Sequence, residues 1–511
     1  MFKKVLVANR GEIAVRVMRG CRDLGITSVA VYSEPDATAL HARYADEAYC
    51  IGGGPASESY LNAAKVIEAA VKCGADAIHP GYGFLSERAE FARACAAAGI
   101  TFIGPRPESL HQLGDKVEAR IIADRAGVPT VPGTPDRVNL EEARAAAQRI
   151  GFPLLIKAAG GGGGKGIRLV REEAELETSL RTAAAEAEAN FGDGGLYVEK
   201  YLDPVRHIEV QILADRFGNV VHLGERECSV QRRSQKLVEE SPSSAVSPEL
   251  RARLGAAAVS IAKEAGYENA GTVEFLFDDA TGNFYFIEVN ARLQVEHPVT
   301  ELVTGLDLIH EQLKVASGEP LGFTQEDVKL SGWAIECRIT AEDAEGGFLP
   351  SLGKVDLLLE PSGPGVRIDS SLFPGMEVSQ FYDSLLSKAI AYGRDRDEAL
   401  RRIRRALDEY EIMGVKTTLG FHRQLMAHPD FISGNIETHF LERSFNLEKP
   451  AATAEDTALV VAALLSHARR NPGAQPAASG SGSNGKRSNW LTAGRTENLR
   501  DGGGASWRSI S

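Results

Sequence analysis

The chain has 511 residues, enough at about 100–200 residues per domain for several domains with large cores. Hydrophobic residues make up 43% and charged residues 25%, which excludes wholesale disorder, and the formal net charge of −13 argues against a duplex nucleic-acid binder, whose affinity rests on a basic surface. The six cysteines include no C-x-x-C pair, so neither a zinc knuckle nor a disulfide framework is expected. The longest apolar run, Ala458 to Leu465, is far short of the ~20 residues that span a bilayer, and the expectation is a soluble cytoplasmic protein with no membrane or nucleic-acid partner.

Up to about residue 113, short apolar strands at Val5 to Ala8, Ser28 to Tyr32, Ala77 to His79 and Thr101 to Gly104 alternate with helical patterns such as Ile13 to Leu24. Such alternation predicts an α/β, Rossmann-like domain over 1–113, with a parallel sheet, right-handed crossovers and ligands at the carboxyl ends of the strands. One such end carries His79-Pro80-Gly81-Tyr82-Gly83-Phe84-Leu85-Ser86-Glu87, where two glycines permit close backbone approach to a ligand or simply keep a tight turn. Residues 114–320 read as strands, hairpins and a glycine run, and 330–445 as a mixed α+β region. A helix at Glu398 to Glu411 in the latter buries Leu400, Ile403, Leu407 and Tyr410 on one stripe, while Arg401, Arg402, Arg404 and Arg405 form a solvated face rather than an anion site. In 446–511, Thr453-Ala454-Glu455-Asp456 has the form of a capping box before a helix to Arg470. A Gly/Ser/Ala/Pro linker follows over 472–489, and then a polar tail whose Trp490, Leu491 and Trp507 fit a frayed end better than a docking segment.

Three stretches carry chemistry. Pro153 to Ala159 reads as a strand, followed by Gly160 to Gly164, Lys165 and Gly166 and a second strand Ile167 to Val170. This is not a Walker loop, because Lys157 precedes the run and a strand follows, yet a glycine flap flanked by Lys157 and Lys165 suits phosphate. A hairpin of Thr272 to Phe277 with Phe284 to Asn290 sets Glu274 near Glu288 and Asn290, hard oxygen donors for Mg²⁺ or Mn²⁺ or else a carboxylate pair bridged by a basic side chain. In Phe284 to His297, read as one extended strand, Glu288, Asn290, Arg292, Gln294 and Glu296 share one face, while Tyr285, Ile287, Val289, Leu293 and Val295 face a core. Unpaired buried charge is costly, so that strip points to an active-site wall.

The glycine run, Glu225-Arg226-Glu227-Cys228-Ser229-Val230-Gln231-Arg232-Arg233, the stretch Phe286 to Glu301 and Ala334-Ile335-Glu336-Cys337-Arg338-Ile339 together resemble biotin carboxylases of the ATP-grasp superfamily, over residues 1 to about 445. The resemblance implies an N-terminal domain at 1–113, an ATP-grasp domain at 114–320 with a mobile glycine-rich lid about 130–204, and a C-terminal domain at 330–445. It implies that ATP phosphorylates bicarbonate to carboxyphosphate and that the carboxyl group passes to N1 of protein-borne biotin. By the same resemblance, Lys116, Lys157, Gly162, Gly163, Gly164, Lys165, Gly166, Glu199, Lys200, Tyr201, Leu202, His207, Gln231 and Ser234 bind ATP, and Glu274, Glu288 and Asn290 hold Mg²⁺ or Mn²⁺. Lys236, Arg292, Gln294, Val295 and Glu296 contact bicarbonate, with Glu296 as general base; Arg338 stabilises the biotin enolate and Gly83 lies at the biotin site. Ser234 stands where many relatives carry histidine or asparagine, and Trp333 where a histidine is expected.

No Ala-Met-Lys-Met hairpin and no carboxyltransferase region is visible, so the expected partners are a separate biotin carboxyl carrier protein, carboxyltransferase subunits and a second copy in a homodimer. The final acceptor, whether acetyl-CoA, as in fatty acid biosynthesis, propionyl-CoA or pyruvate, follows from the transferase. Another ATP-grasp ligase would share the flap and metal acids but has no use for the Arg292 to Glu296 strip with Arg338. A non-catalytic scaffold would need neither the metal acids nor the base.

Overall fold

A computed structural model describes residues 1–134, 136–159, 167–192, 194–448, 461, 462, 465 and 466. The glycine run 160–166, the capping box, most of the helix expected after it, the linker and the tail tryptophans lie outside the described residues. Residues Met1–Glu448 form one compact unit.

Five parallel strands, β1 (Lys4–Val7), β2 (Thr27–Ser33), β3 (Glu47–Gly52), β4 (Ala77–His79) and β5 (Thr101–Phe102), make the N-terminal sheet in the order β3-β2-β1-β4-β5. The helix Gly11–Asp23 buries Ile13, Ala14, Val17, Met18 and Cys21, the helical stripe its spacing predicts. Strand β3 escaped the sequence reading although Ala48-Tyr49-Cys50-Ile51 is a short apolar run; it is an edge strand with Ala48 and Cys50 exposed. After β4 the chain turns at Gly81 and Gly83, both left-handed (φ +63° and +67°), and a Cβ on Gly81 would lie 2.9 Å from Nδ2 of Asn9. That Asn9 amide donates to the carbonyls of Pro80 (2.7 Å) and Tyr82 (2.8 Å), which fixes the turn.

The region expected to form the lid holds a small antiparallel sheet of β6 (Leu154–Ala158), β7 (Ile167–Val170) and β8 (Leu196–Lys200) in the order β7-β6-β8. Its apolar face packs on Ala143 and Ala147 of the helix Leu140–Ile150 and on Leu176, Leu180 and Ala183 of the helix Glu173–Phe191.

Everything else is organised by one eight-stranded antiparallel sheet. It contains β9 (Arg206–Ala214), β10 (Val220–Arg232), β11 (Gln235–Ser241), β12 (Asn269–Asp278), β13 (Asn283–Asn290) and β14 (Trp333–Thr340) in the order β13-β12-β9-β10-β11-β14, extended by Leu385–Gly393 and Val366–Ser370. The pairing of β11 with β14 carries the sheet without a break through the regions read as ATP-grasp and C-terminal. One face buries Ile208, Val210, Val273 and Phe275 with Ala119 and Ile122 of the helix Lys116–Arg125 and Leu254 and Ile261 of the helix Pro248–Glu264. In the C-terminal part the helix Arg396–Glu409 buries Leu400, Ile403 and Leu407 as expected, with Tyr410 also buried. Its arginines are less free than a solvated face: Arg402, Arg404 and Arg405 donate to the carbonyls of Tyr392 (2.6 Å), Met426 (2.8 Å) and Ser362 (3.0 Å).

The single extended strip expected over Phe284 to His297 is corrected. Strand β13 ends at Asn290, and 291–296 is an irregular loop leading into the helix His297–Thr304. The register shifts between the pairs Glu274↔Glu288 and Phe275↔Phe286, which leaves Ile287 as an extra residue and reverses the side-chain phase. Phe284, Phe286 and Val289 therefore face the core, while Tyr285 and Ile287 are only half-buried. Beyond Asn290 the Ala291 amide donates to the Glu87 carboxylate (3.2 Å) instead of to a strand.

Gly332, at the entry to β14, has φ +70°, and a Cβ there would lie 2.4 Å from the Gly393 carbonyl oxygen. Gly332→Ala is expected to destabilise the chain by about 2 kcal/mol or more, read as a lower urea midpoint. An unchanged midpoint would show that the backbone here is not constrained.

Candidate active site

Three carboxylates stand in one row across the large sheet: Glu288 of β13 opposes Glu274 of β12, Glu274 opposes Glu209 of β9, and Glu209 opposes Arg226 of β10. Like charges directly opposite each other repel, and burial magnifies the penalty, so the row requires cations. Lys116 Nζ lies 2.6 Å from Glu288 and His207 Nε2 3.0 Å from Glu274. Lys236, on β11, reaches Glu209, Glu274 (2.9 Å) and Glu296 (2.7 Å) at once. Arg226 is fully buried and uses all five N–H donors, on Glu209, Gln211 (2.7 Å), Thr300 (3.0 Å), Thr272 (3.0 Å) and Gln294 (2.7 Å).

Glu296 closes the cluster from the loop. One of its oxygens faces Lys236 and the other accepts from Arg338 Nη2 at 2.9 Å, while Arg338 also grips Glu239. Burial alone would raise the Glu296 carboxyl, but Lys236, Arg338 and Arg226 outweigh it and hold the group well below the usual carboxylate range. Burial likewise works to lower Lys236, and Glu209, Glu274 and Glu296 reverse the sign and hold it well above the usual ammonium range. The site is thus a charged lattice, with Glu296 poised as an unprotonated acceptor beside two cations.

The other expected residues fall around this lattice. Arg292 does not touch Glu296; it pairs with Glu87 (3.0 Å) and donates to Asn290 Oδ1 (2.9 Å). Gln294 donates to Glu274 (3.1 Å), and the Val295 carbonyl accepts from Lys388 Nζ (2.9 Å). Glu274, Glu288 and Asn290 bring two carboxylates in register and an amide whose Nδ2 lies 2.8 Å from Glu274, a hard-oxygen donor set that fits a divalent cation. On the nucleotide side, Glu199 binds both Lys157 and Arg120, and Gln231 lies 2.8 Å from His207 Nδ1. Lys200 donates to the carbonyls of Phe152 (2.9 Å) and Gly151 (3.1 Å). Tyr201 contacts His439 (3.3 Å) in a cleft of about 580 Å³ that Pro153, Leu169 and Arg443 also line, and half-buried Leu202 follows in the chain. Gly162, Gly163, Gly164, Lys165 and Gly166 lie outside the described residues.

Ser234 occupies the exposed turn between β10 and β11, where it and Arg233 are both left-handed (φ +63° and +49°). Asparagine adopts that conformation more readily than serine, so this turn is not the one serine suits best. Trp333 also gains an account: its indole N–H donates to the buried Glu240 at 2.7 Å, beside Arg396 at 2.8 Å.

Known proteins share this arrangement of domains. The family models described as biotin carboxylase, N-terminal domain, carbamoyl-phosphate synthase L chain, ATP binding domain, and biotin carboxylase C-terminal domain match residues 1–110, 115–324 and 336–443. Biotin carboxylase 1 of Bacillus subtilis is 53% identical over 443 residues, covering 86% of this chain and 98% of the relative. The chain belongs to the biotin carboxylase family. A pyruvate carboxylase subunit of Methanothermobacter thermautotrophicus is 52% identical over 90% of this chain and 94% of its own length. Among solved structures, the biotin carboxylase domain dimer of the Hydrogenobacter thermophilus 2-oxoglutarate carboxylase, in complex with MgADP, ADP and bicarbonate, superposes with a TM-score of 0.84 at 50% identity, covering 86% of this chain and 97% of that one.

The sequence reading overlooked several groups that hold the charged side chains of this cluster in place: Glu209, Arg226, Glu87, Glu239 and Lys388. Glu209 and Arg226 lie in segments already singled out, and the available signal was charge inside apolar strands, Ile208-Glu209-Val210 and Glu225-Arg226-Glu227. Lys388 gave the same signal, a lone lysine in the strand Leu385–Gly393, and it is fully buried.

Glu301, five residues beyond Glu296, locks the helix that follows Glu296 to Arg16 (2.8 Å) and Arg367 (2.7 Å). Burial opposes its ionisation, yet Arg16, His297 and Arg367 bring the carboxyl from 4.5 down to about 2. A depressed carboxyl contributes stability above its unfolded value and loses it as the pH falls, so about 3 kcal/mol should vanish between pH 4.5 and about 2. Glu301→Gln is expected to lower the neutral-pH urea midpoint and flatten its dependence over that window. An acid dependence identical to that of the parent chain would show that Glu301 is not the group responsible.

Proposed function

We propose that this biotin carboxylase is the subunit of a multi-subunit carboxylase that uses ATP and bicarbonate to carboxylate biotin on a separate carrier protein. The observation that carries the reading is Glu296, a buried carboxylate held between Lys236 (2.7 Å) and Arg338 (2.9 Å). In this reading Lys236, Arg292, Gln294 and the Val295 backbone hold the bicarbonate anion, and Glu296 accepts its proton as a bicarbonate oxygen attacks the γ-phosphorus of ATP and ADP departs. Lys116 and Lys157, now paired with Glu288 and Glu199, turn to the phosphates. Glu199, Lys200, Tyr201 and Leu202 take the adenine, with His207, Gln231 and Ser234 at the pocket wall. Magnesium, when bound at Glu274, Glu288 and Asn290, offsets the negative charge of the phosphates. Carboxyphosphate then breaks into CO2 and phosphate, the phosphate takes the N1 proton of biotin, and the enolate, stabilised by Arg338 beside the Gly83 turn, attacks the CO2 through N1 to give carboxybiotin.

The bicarbonate and MgADP in the Hydrogenobacter structure support this assignment, and so does its dimeric form for a homodimer here. The carrier and carboxyltransferase partners follow from relatives that are subunits of pyruvate and 2-oxoglutarate carboxylases. A reducing, cytoplasmic setting suits the exposed thiol of Cys50, and among the described residues no helix is long and apolar enough to cross a membrane.

Glu296→Gln is expected to keep nucleotide affinity and lose bicarbonate-dependent ATP cleavage by about 10²–10⁴-fold, followed as ADP release with and without bicarbonate. Carboxylation of free biotin at the parent rate by this variant would reject Glu296 as the base. Purification of the tagged chain from its native cell should bring down a biotinylated polypeptide and a carboxyltransferase. Recovery of neither would count against the multi-subunit assignment.

A further inference from the structure

Glu336 is a buried acid that the reaction described above leaves without a role. It lies on β14 two residues before Arg338, fully buried, and neither of its carboxyl oxygens has a hydrogen-bond partner. Its cross-strand neighbour is Glu239 of β11, also fully buried. Glu239 Oε1 holds Arg338, while its Oε2 is buried without a partner. Two carboxyl groups in register, screened from water and short of donors, cannot both be ionised; one must carry a proton. We propose that Glu336 is a positioning residue which stays protonated at neutral pH, so that Glu239 keeps its charge on Arg338 and the guanidinium is left with enough positive field to stabilise the biotin enolate.

The surrounding charges favour this state. Lys388, opposite Arg338 on the next strand, is the nearest candidate cation, but its Nζ is taken by the Val295 carbonyl (2.9 Å), Glu12 (3.2 Å) and Asp369 (3.6 Å). Burial pushes the Glu336 carboxyl well above the usual range against the pull of Lys388, and the charges of Glu239 and Glu296 push the same way against Arg338. Burial also raises Glu239, with Glu296 adding to the rise, but Arg338 opposes it through a direct hydrogen bond that Glu336 does not have. Tyr82, whose hydroxyl donates to Glu12, completes the group on the side of the Gly83 turn. A carboxyl raised in this way is neutral at lower pH and becomes charged as the pH rises. The added charge beside Arg338 then weakens the enolate site, and biotin carboxylation falls on the alkaline side.

The inference rests on the biotin carboxylase reading for its effect on rate, but the protonation itself is read without turnover. The infrared difference spectrum of the parent chain minus E336Q should show the C=O stretch of a protonated carboxyl at neutral pH that disappears at alkaline pH. E336Q, neutral at every pH, should keep free-biotin carboxylation within about threefold of the parent at neutral pH and lose the parent's alkaline decline, while bicarbonate-dependent ATP cleavage keeps its own profile. E336M supplies the same neutral group should E336Q fold poorly. Absence of the acid band, or an alkaline decline unchanged in both variants, overturns the proposal. A parent chain that carboxylates no biotin would instead refute the functional reading, and the band would still decide the state of Glu336.

Discussion

The structure around the site depends on one constraint, the in-register row Glu288, Glu274 and Glu209 on three neighbouring strands. Three carboxylates side by side in a sheet are tenable only if cations are fixed beside them, and each cation comes from a different part of the chain. Lys116 is the first residue of a helix, His207 lies on β9, Arg226 on β10 and Lys236 on β11. Arg226 is the permanent member of this set, with all five donors spent on protein atoms. The side chains of Lys116 and Lys236 keep 17% and 12% of their surface exposed, and their partners are single oxygens of acids, contacts that can be exchanged for those of an incoming anion or metal.

That division between fixed and exchangeable cations gives the site its chemistry. A divalent ion at Glu274 and Glu288 would compete with Lys236 and Lys116 for the same oxygens and would so release both ammonium groups from those acids. The same exchange bears on Glu296. Glu296 is held deep in the ionised range by Lys236, Arg338 and Arg226, and a cation drawn toward substrate leaves a carboxylate with a greater appetite for a proton.

How much of this was legible in the sequence divides along chain distance. The N-terminal parallel sheet, the β12/β13 hairpin with Glu274 opposite Glu288, and the apolar stripe of Leu400, Ile403 and Leu407 are local patterns, and each stands where its spacing put it. The phase of β13 was not legible, because the irregularity at Ile287 depends on pairing with β12, and the alternation of polar residues continues past Asn290 although the strand does not. Nor were the partners of the row. Glu209 meets Glu274, and Arg226 meets Gln294 and Thr300, through strand order β12-β9-β10, which no single segment encodes. The family resemblance supplied Lys236 and Arg338 by position, but the reason they converge on Glu296 is visible only in the folded sheet.

That reason is the continuity of the sheet itself. Lys236 and Arg338 come from stretches of sequence roughly a hundred residues apart, and a flexible joint between two domains would leave their separation undefined. Direct pairing of β11 with β14, Val238 opposite Cys337 and Glu239 opposite Glu336, fixes the two strands by backbone hydrogen bonds instead. Glu296 then needs only to reach the sheet from above for its two oxygens to meet one cation each. The separation of Lys236 from Arg338, and so the gap that Glu296 bridges, is therefore set by the spacing of neighbouring strands. An open joint between 320 and 330 would lose that spacing, and the shared sheet keeps it.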